Sequence, residues 1–179
     1  MRCFGDNKWI FLVLVTLTGL GGDLISKYYA VSHLSVGGDP VKFLGSTIQF
    51  QLVYNQGALF GLNPQSLFPS FPTTIFFFII SAITLVMLLL YYHYLVPAAQ
   101  LTRWGISLVM PGAIGNLSDR LFHAELGVVD FIRADFNIWP FNPWPIFNIA
   151  DAFITVGLSL VIIDMVIQEK KKKKVCTTT

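Results

Sequence analysis

The sequence predicts an all-α membrane protein: a bundle of four transmembrane helices with a small extracytoplasmic β-sheet or hairpin and a second extracytoplasmic loop. Three observations predict it. Hydrophobic residues make up 54% of the chain and charged residues 12%, with a mean hydropathy of +0.65; a soluble domain needs more charge than that to cover its surface. Four apolar stretches each hold about 20 residues, which at ~1.5 Å per residue cross ~30 Å of hydrocarbon. The basic residues flanking those stretches fall on one side of them.

The first stretch, about residues 9–30, follows Arg2 and Lys8 and opens with "WIFLVLVTLTGL". A cleaved secretory signal would offer a small-residue site next, but "GGDLISKYYAV" continues with helical character, so the segment reads as an uncleaved membrane helix. Residues 31–72 contain "TIQFQLVYNQGALFG", where Ile48, Phe50, Leu52 and Tyr54 alternate with Thr47, Gln49, Gln51 and Val53. That period of two predicts a short strand or hairpin, and "NQG" a turn. The second span, about residues 73–96, has Pro72 before it and Pro97 after it, both suited to helix ends. The third, about residues 103–122, is the least regular, because it contains Pro111, Gly112, Gly115 and Asn116. A second outer segment, residues 123–147, ends in a Trp- and Pro-rich loop whose aromatics are expected at the interface. The fourth span, about residues 148–167, leads into a lysine-rich tail at 168–179. No internal repeat is visible, so residues 1–179 read as one domain.

Arg2, Lys8, Arg103 and Lys170 to Lys174 share one side of four crossings, which makes both termini cytoplasmic. The lysine run also suits an anionic inner leaflet. It distorts the net charge of +2: without it seven basic residues face ten acidic ones. The body is mildly acidic and gives no footprint for nucleic acid. Cys3 and Cys176 stand near opposite termini and build neither a disulfide framework nor a CxxC site. His33, His93 and His123 are dispersed, no H-E-x-x-H occurs, and neither a metal nor another cofactor is expected.

With that topology the polar residues converge. Asp23 and Lys27 lie four apart in the outer part of the first span. Asn116, Asp119 and Arg120 share one face near the outer end of the third. Asn148 and Asp151 lie in the first turn of the fourth, while Asn55 and Asp130 come from the outer segments. Asp164 is the exception, near the inner surface and within reach of the lysine run. Plain structural readings stand beside functional ones: Asp23 with Lys27 as an ion pair pinning a helix, Asp119 and Arg120 as loop anchors, Asn148 as an N-cap. Asp151 and Asp130 resist such readings, since Asp130 sits between "GVV" and "FI". Two carboxylates in a partly dry pocket share a proton, giving one acid and one base able to activate a water. A small proton- or ion-coupled carrier is the alternative, with Asp23/Lys27 and Asp119/Arg120 as its relay; it requires polar residues continuing toward the cytoplasm. A non-catalytic scaffold is a third reading.

Five blocks then carry a resemblance over nearly the whole chain: "DLISK" at 23–27, "YNQGALFG" at 54–61, "PGAIGNLSDR" at 111–120, "VVDF" at 128–131 and "FNIAD" at 147–151. In this order the sequence resembles the lipoprotein signal peptidases, or signal peptidase II. The resemblance implies an aspartic endopeptidase of the bacterial inner membrane, cutting prolipoproteins before a diacylglyceryl-modified cysteine and targeted by globomycin-type cyclic peptides. It implies Asp130 and Asp151 as the catalytic pair, and Asn116, Asp119, Arg120 and Asn148 as their support. Asp23, Lys27, Asn55, Gly57 and Ala58 match positions the family uses near the site. Lipid-modified precursors and membrane lipids are the implied partners, and a single chain supplies every piece, so a monomer is expected. Pro111 and Ser26 depart from the family's usual Gly and Thr; Pro111 is expected to kink its helix.

Overall fold

The computed structural model describes residues 7–56, 73–96, 99–123, 125–136 and 144–177. The order of elements is α1 (Lys8–His33), β1 (Val41–Leu44), β2 (Ile48–Asn55), α2 (Thr73–Tyr94), α3 (Gln100–Phe122), β3 (Val128–Ala134) and α4 (Ile149–Thr177). Three helical segments are long and apolar enough to cross a membrane: α1, residues 75–94 of α2 and residues 149–171 of α4. Their apolar side chains face outward. Ile10, Val13, Leu14 and Leu17 of α1 and Val156, Ile162, Met165 and Val166 of α4 are exposed, which is the reverse of a soluble bundle and the surface a hydrocarbon solvent favours.

The predicted third span forms a helix, but α3 is not among those three segments. Packing explains its polarity. α1, α2 and α4 all pack against α3, and its buried residues include Thr102, Ser107, Asn116 and Asp119. A helix wrapped by other helices needs little apolar surface of its own. Pro111 sits within α3, and Gly19 of α1 leaves room for its ring; a Cβ on Gly19 would come within 2.8 Å of it. Against α4 the seam is made of small residues. A Cβ on Gly105 would stand 2.6 Å from the Gly157 carbonyl oxygen, and one on Gly112 would strike the Ala150 carbonyl. Such residues let helix backbones touch where lipid is as apolar as the side chains and the hydrophobic effect drives little association.

The sheet is antiparallel in the order β1-β2-β3. The expected strand is β2; it pairs with β1 in a hairpin turning at Gly45, whose φ is +61°, ahead of the "NQG" at which the turn was expected. The outer segment expected as a loop instead supplies β3, which pairs with β2 from Ile48↔Ala134 to Asn55↔Val128, with an irregularity between Phe50 and Val53. Residues 128–131 are buried on both faces, so no polar alternation marks them as a strand. Leu52, Val129 and Phe131 pack on Ala30, seating the sheet on the C-terminal end of α1. A second core, including Leu12, Tyr92, Ala99, Ile106 and Met110, closes the opposite end of the bundle.

The lysine-rich tail continues the last helix. α4 runs through it to Thr177, because Lys is a good helix former and Glu169 pairs with Lys173 at 2.7 Å one turn on. Asp164 does not depend on the lysines for hydrogen bonds: it accepts from the backbone and hydroxyl of Thr102 and from Gln168.

Candidate active site

The site grows from the start of α4. Asn148 is the N-cap: its Oδ1 accepts from the Asp151 backbone N–H at 2.9 Å, while Asp151 Oδ2 accepts from the Asn148 backbone N–H at 3.3 Å. This is a capping box with Asn and Asp in place of the usual Ser and Glu, satisfying two N–H groups the helix would leave unpaired. A third, Ala150 N–H, donates to Asp23 Oδ1 of α1 at 2.9 Å. Asp151 thereby occupies the first turn, where the helix dipole favours an anion.

Strand β3 brings the second acid. Phe147 forms a bridge with Ile132, so the chain entering α4 runs along the free edge of β3 and sets Asn148 beside Asp130. Asn148 Nδ2 donates to Asp130 Oδ1 at 2.7 Å, and lies within hydrogen-bond distance of Asn116 Oδ1 at 3.0 Å and the Val129 carbonyl at 3.2 Å. Asn116 Nδ2 donates to Asp151 Oδ1 at 2.8 Å. The two asparagines link both carboxylates in one network. From β2, Asn55 Nδ2 donates to Asp130 Oδ2 at 3.0 Å; Asn55 lies diagonally across the β2–β3 ladder, on the same face. Gly127 admits this arrangement. Its φ is +95°, and a Cβ there would strike the Asn55 carbonyl. Asp130 is only 2% exposed. Burial, then the neighbouring Asp151, push its carboxyl up to about 7, against the lowering effects of Asn55, Lys27 and Asn148.

Behind the acids lies an ion cluster. Lys27 Nζ meets Asp23 Oδ2 at 2.7 Å and Asp119 Oδ2 at 2.8 Å, and donates to Asn116 Oδ1 at 3.1 Å. One ammonium thus joins α1 to α3 and holds the carbonyl end of the Asn116 amide, leaving its NH2 for Asp151. Asp119 also accepts from the Val129 N–H at 3.2 Å, tying α3 to β3. Gly115 makes space for Asp23, since a Cβ there would collide with Asp23 Oδ2. Arg120 does not pair with its neighbour Asp119; it donates to the Asn116 carbonyl at 3.1 Å and lies 5.0 Å over the Phe77 ring.

The structure therefore brings together Asp23, Lys27, Asn55, Asn116, Asp119, Asp130, Asn148 and Asp151, with Arg120 beside them. Gly57 and Ala58 lie outside the described residues. Phe77 and the backbone of Val129 were not singled out from the sequence, and Gly115 was noted only as a break in its span, not as part of the site. Gly115 alone carried a signal, as a small residue one position before Asn116.

A family model described as Signal peptidase (SPase) II matches residues 13–167. A lipoprotein signal peptidase of Borrelia hermsii is 35% identical over 163 residues, covering 90% of this chain and 89% of that protein. One of Treponema denticola is 33% identical over 164 residues, covering 89% and 92%. A solved structure of a bacterial membrane enzyme matches with a TM-score of 0.75 at 28% identity, over 90% of this chain and 91% of that one. Since these matches run from the first helix to the last, and the polar blocks of the sequence meet at one end of the bundle, the chain belongs to the signal peptidase II family.

Proposed function

We propose that the protein is an aspartic endopeptidase of the bacterial cytoplasmic membrane, removing signal peptides from prolipoproteins by cutting before a diacylglyceryl-modified cysteine. The name of its relatives, lipoprotein signal peptidase, supports the substrate class. The observation that carries the chemistry is the Asn148–Asn116 bridge between Asp130 and Asp151. It joins carboxylates from a strand and a helix that are 21 positions apart. No covalent intermediate is required. Asp151 takes a proton from water, the water oxygen attacks the scissile carbonyl carbon, and protonated Asp130 gives its proton to the carbonyl oxygen. Collapse of the tetrahedral intermediate breaks the C–N bond, and the pair returns a proton to the leaving amine. The raised carboxyl of Asp130 supports a pair that holds one proton between its members.

In this reading α3 is the fourth crossing, sheltered by the other three helices. Both termini are cytoplasmic, and the acids lie at the outer face. There a lipid anchor stays in the bilayer while the peptide bond reaches water. A monomer suffices, and no cofactor takes part. A continuous carrier relay lacks support. Among the described residues the buried charges form two groups, Asp23, Lys27, Asp119 and Asp130 at one end and Arg103 and Asp164 at the other.

The test is cleavage of a diacylated precursor by purified Asp130→Asn and Asp151→Asn in detergent. Each is expected to lose at least about 1,000-fold in kcat, by analogy with the loss of one member of a unit that acts together. Near-wild-type turnover by either folded variant rules out the pair.

A further inference from the structure

The end of the bundle away from the acids holds a cleft of about 150 Å³, lined by Asn7, Lys8, Phe11, Gln100, Arg103 and Trp104. Among the described residues its lining has two cations and no carboxylate. Lys8 is partly compensated: its Nζ donates to the His93 carbonyl at 2.7 Å, at the C-terminus of α2. Arg103 is not. It is 7% exposed, and its buried Nε has no hydrogen-bond partner among the described residues. A buried guanidinium left this way is costly unless an anion meets it. Two helices also begin here, and neither N-cap residue, Asn7 or Ala99, caps its helix through a side chain. The dipoles of both helices add to the positive potential, offset in part at α3, where Asp164 accepts from the Thr102 N–H.

We infer that this cleft binds the phosphate of an anionic phospholipid. The phosphate chemistry follows from the planar guanidinium and the ammonium. The lipid source follows from position. Phe11 and Trp104 pack edge to face at 4.5 Å as one wall of the cleft, and Trp104 is exposed on the apolar flank where acyl chains would run. The lysine run of α4 follows Asp164, which Thr102 holds at this same end, so the lipid belongs to the leaflet that those lysines face. The site is independent of the proposed peptidase chemistry.

The experiment measures Tm of the full chain in neutral detergent with added phosphatidylglycerol, phosphatidylcholine or inorganic phosphate. Phosphatidylglycerol is expected to raise the wild-type Tm by several degrees and the other two to leave it unchanged. Arg103→Met removes the uncompensated charge, so its Tm without anionic lipid is expected to equal or exceed that of wild type, with the phosphatidylglycerol response lost. Gln100→Glu, which favours the start of α3 and offers the cations an internal carboxylate, is expected to lose the response while remaining folded. Replacing Lys170 to Lys174 by Gln is expected to preserve it. The inference is overturned by an undiminished response in both cleft variants, or by a response that vanishes with the lysine run. A response only in Asp6→Asn also overturns it, by assigning the counter-ion to the chain itself. An equal shift from inorganic phosphate overturns the lipid source.

Discussion

Two donors, a cation and a neighbouring acid act on the Asp130 carboxyl in opposite senses. Burial and Asp151 favour its neutral form, whereas Asn55, Lys27 and Asn148 favour its charge. The balance, a carboxyl raised to about 7 from 3.8, fixes the sign of two predictions. Activity needs one proton on the pair, so kcat is expected to be bell-shaped in pH with an alkaline limb near 7. Asn55→Ala removes a group that lowers this carboxyl, so the limb should move to higher pH in a kcat–pH profile. Stability follows the same shift. A folded value above the unfolded one means that stability present at low pH is lost as pH rises from about 4 to about 7. Wild-type Tm is expected to decline across that window, and Asp130→Asn to flatten the decline. Both acids were legible in the sequence, because a carboxylate amid apolar residues requires an explanation. The second role of Asn148 was legible only through the family resemblance. A cap is a local pattern, whereas its bond to Asp130 depends on how the 131–147 segment returns along β3.

At the level of elements, the ion cluster and the cap do separable work. Lys27 compensates Asp23 and Asp119 together, so Lys27→Met leaves two buried carboxylates without their cation. A loss on the order of 3–5 kcal/mol is expected, measured as reduced Tm and reduced accumulation in the membrane. Asn148→Ser distinguishes helix start from site geometry. Ser is a good N-cap, so the helix should persist with little change in Tm, but the amide donor to Asp130 is gone and kcat should fall at least about 100-fold. β2 was readable because its apolar residues alternate with polar ones, whereas β1 was not singled out. β3 was not readable, since residues buried on both sides carry no period and only pairing with β2 distinguishes them from a loop.

For the whole molecule, four helices were legible from apolar runs and flanking prolines. Their arrangement was not, because the least apolar helix turned out to be the central one. Its small-residue seam with α4 is therefore the joint on which the bundle depends. Gly157→Val is expected to force α3 and α4 apart, since a single Cβ there already falls 2.5 Å from the Gly105 carbonyl oxygen. The measurement is Tm together with turnover, and both should fall. Orientation is checked by labelling intact cells with a membrane-impermeant thiol reagent, after replacing Cys3 and Cys176 by Ser. A cysteine at Gln49 in the sheet is expected to react from outside, and one at Lys171 only after lysis.

The amide of Asn148 both begins α4 and touches Asp130, so the last helix and the hydrolytic centre come into being in one event. A chain still emerging from the ribosome, with its earlier helices inserted, has Asp130 but neither the bridging amide nor Asp151. On the proposed chemistry such a half-made enzyme is inert toward lipidated precursors nearby.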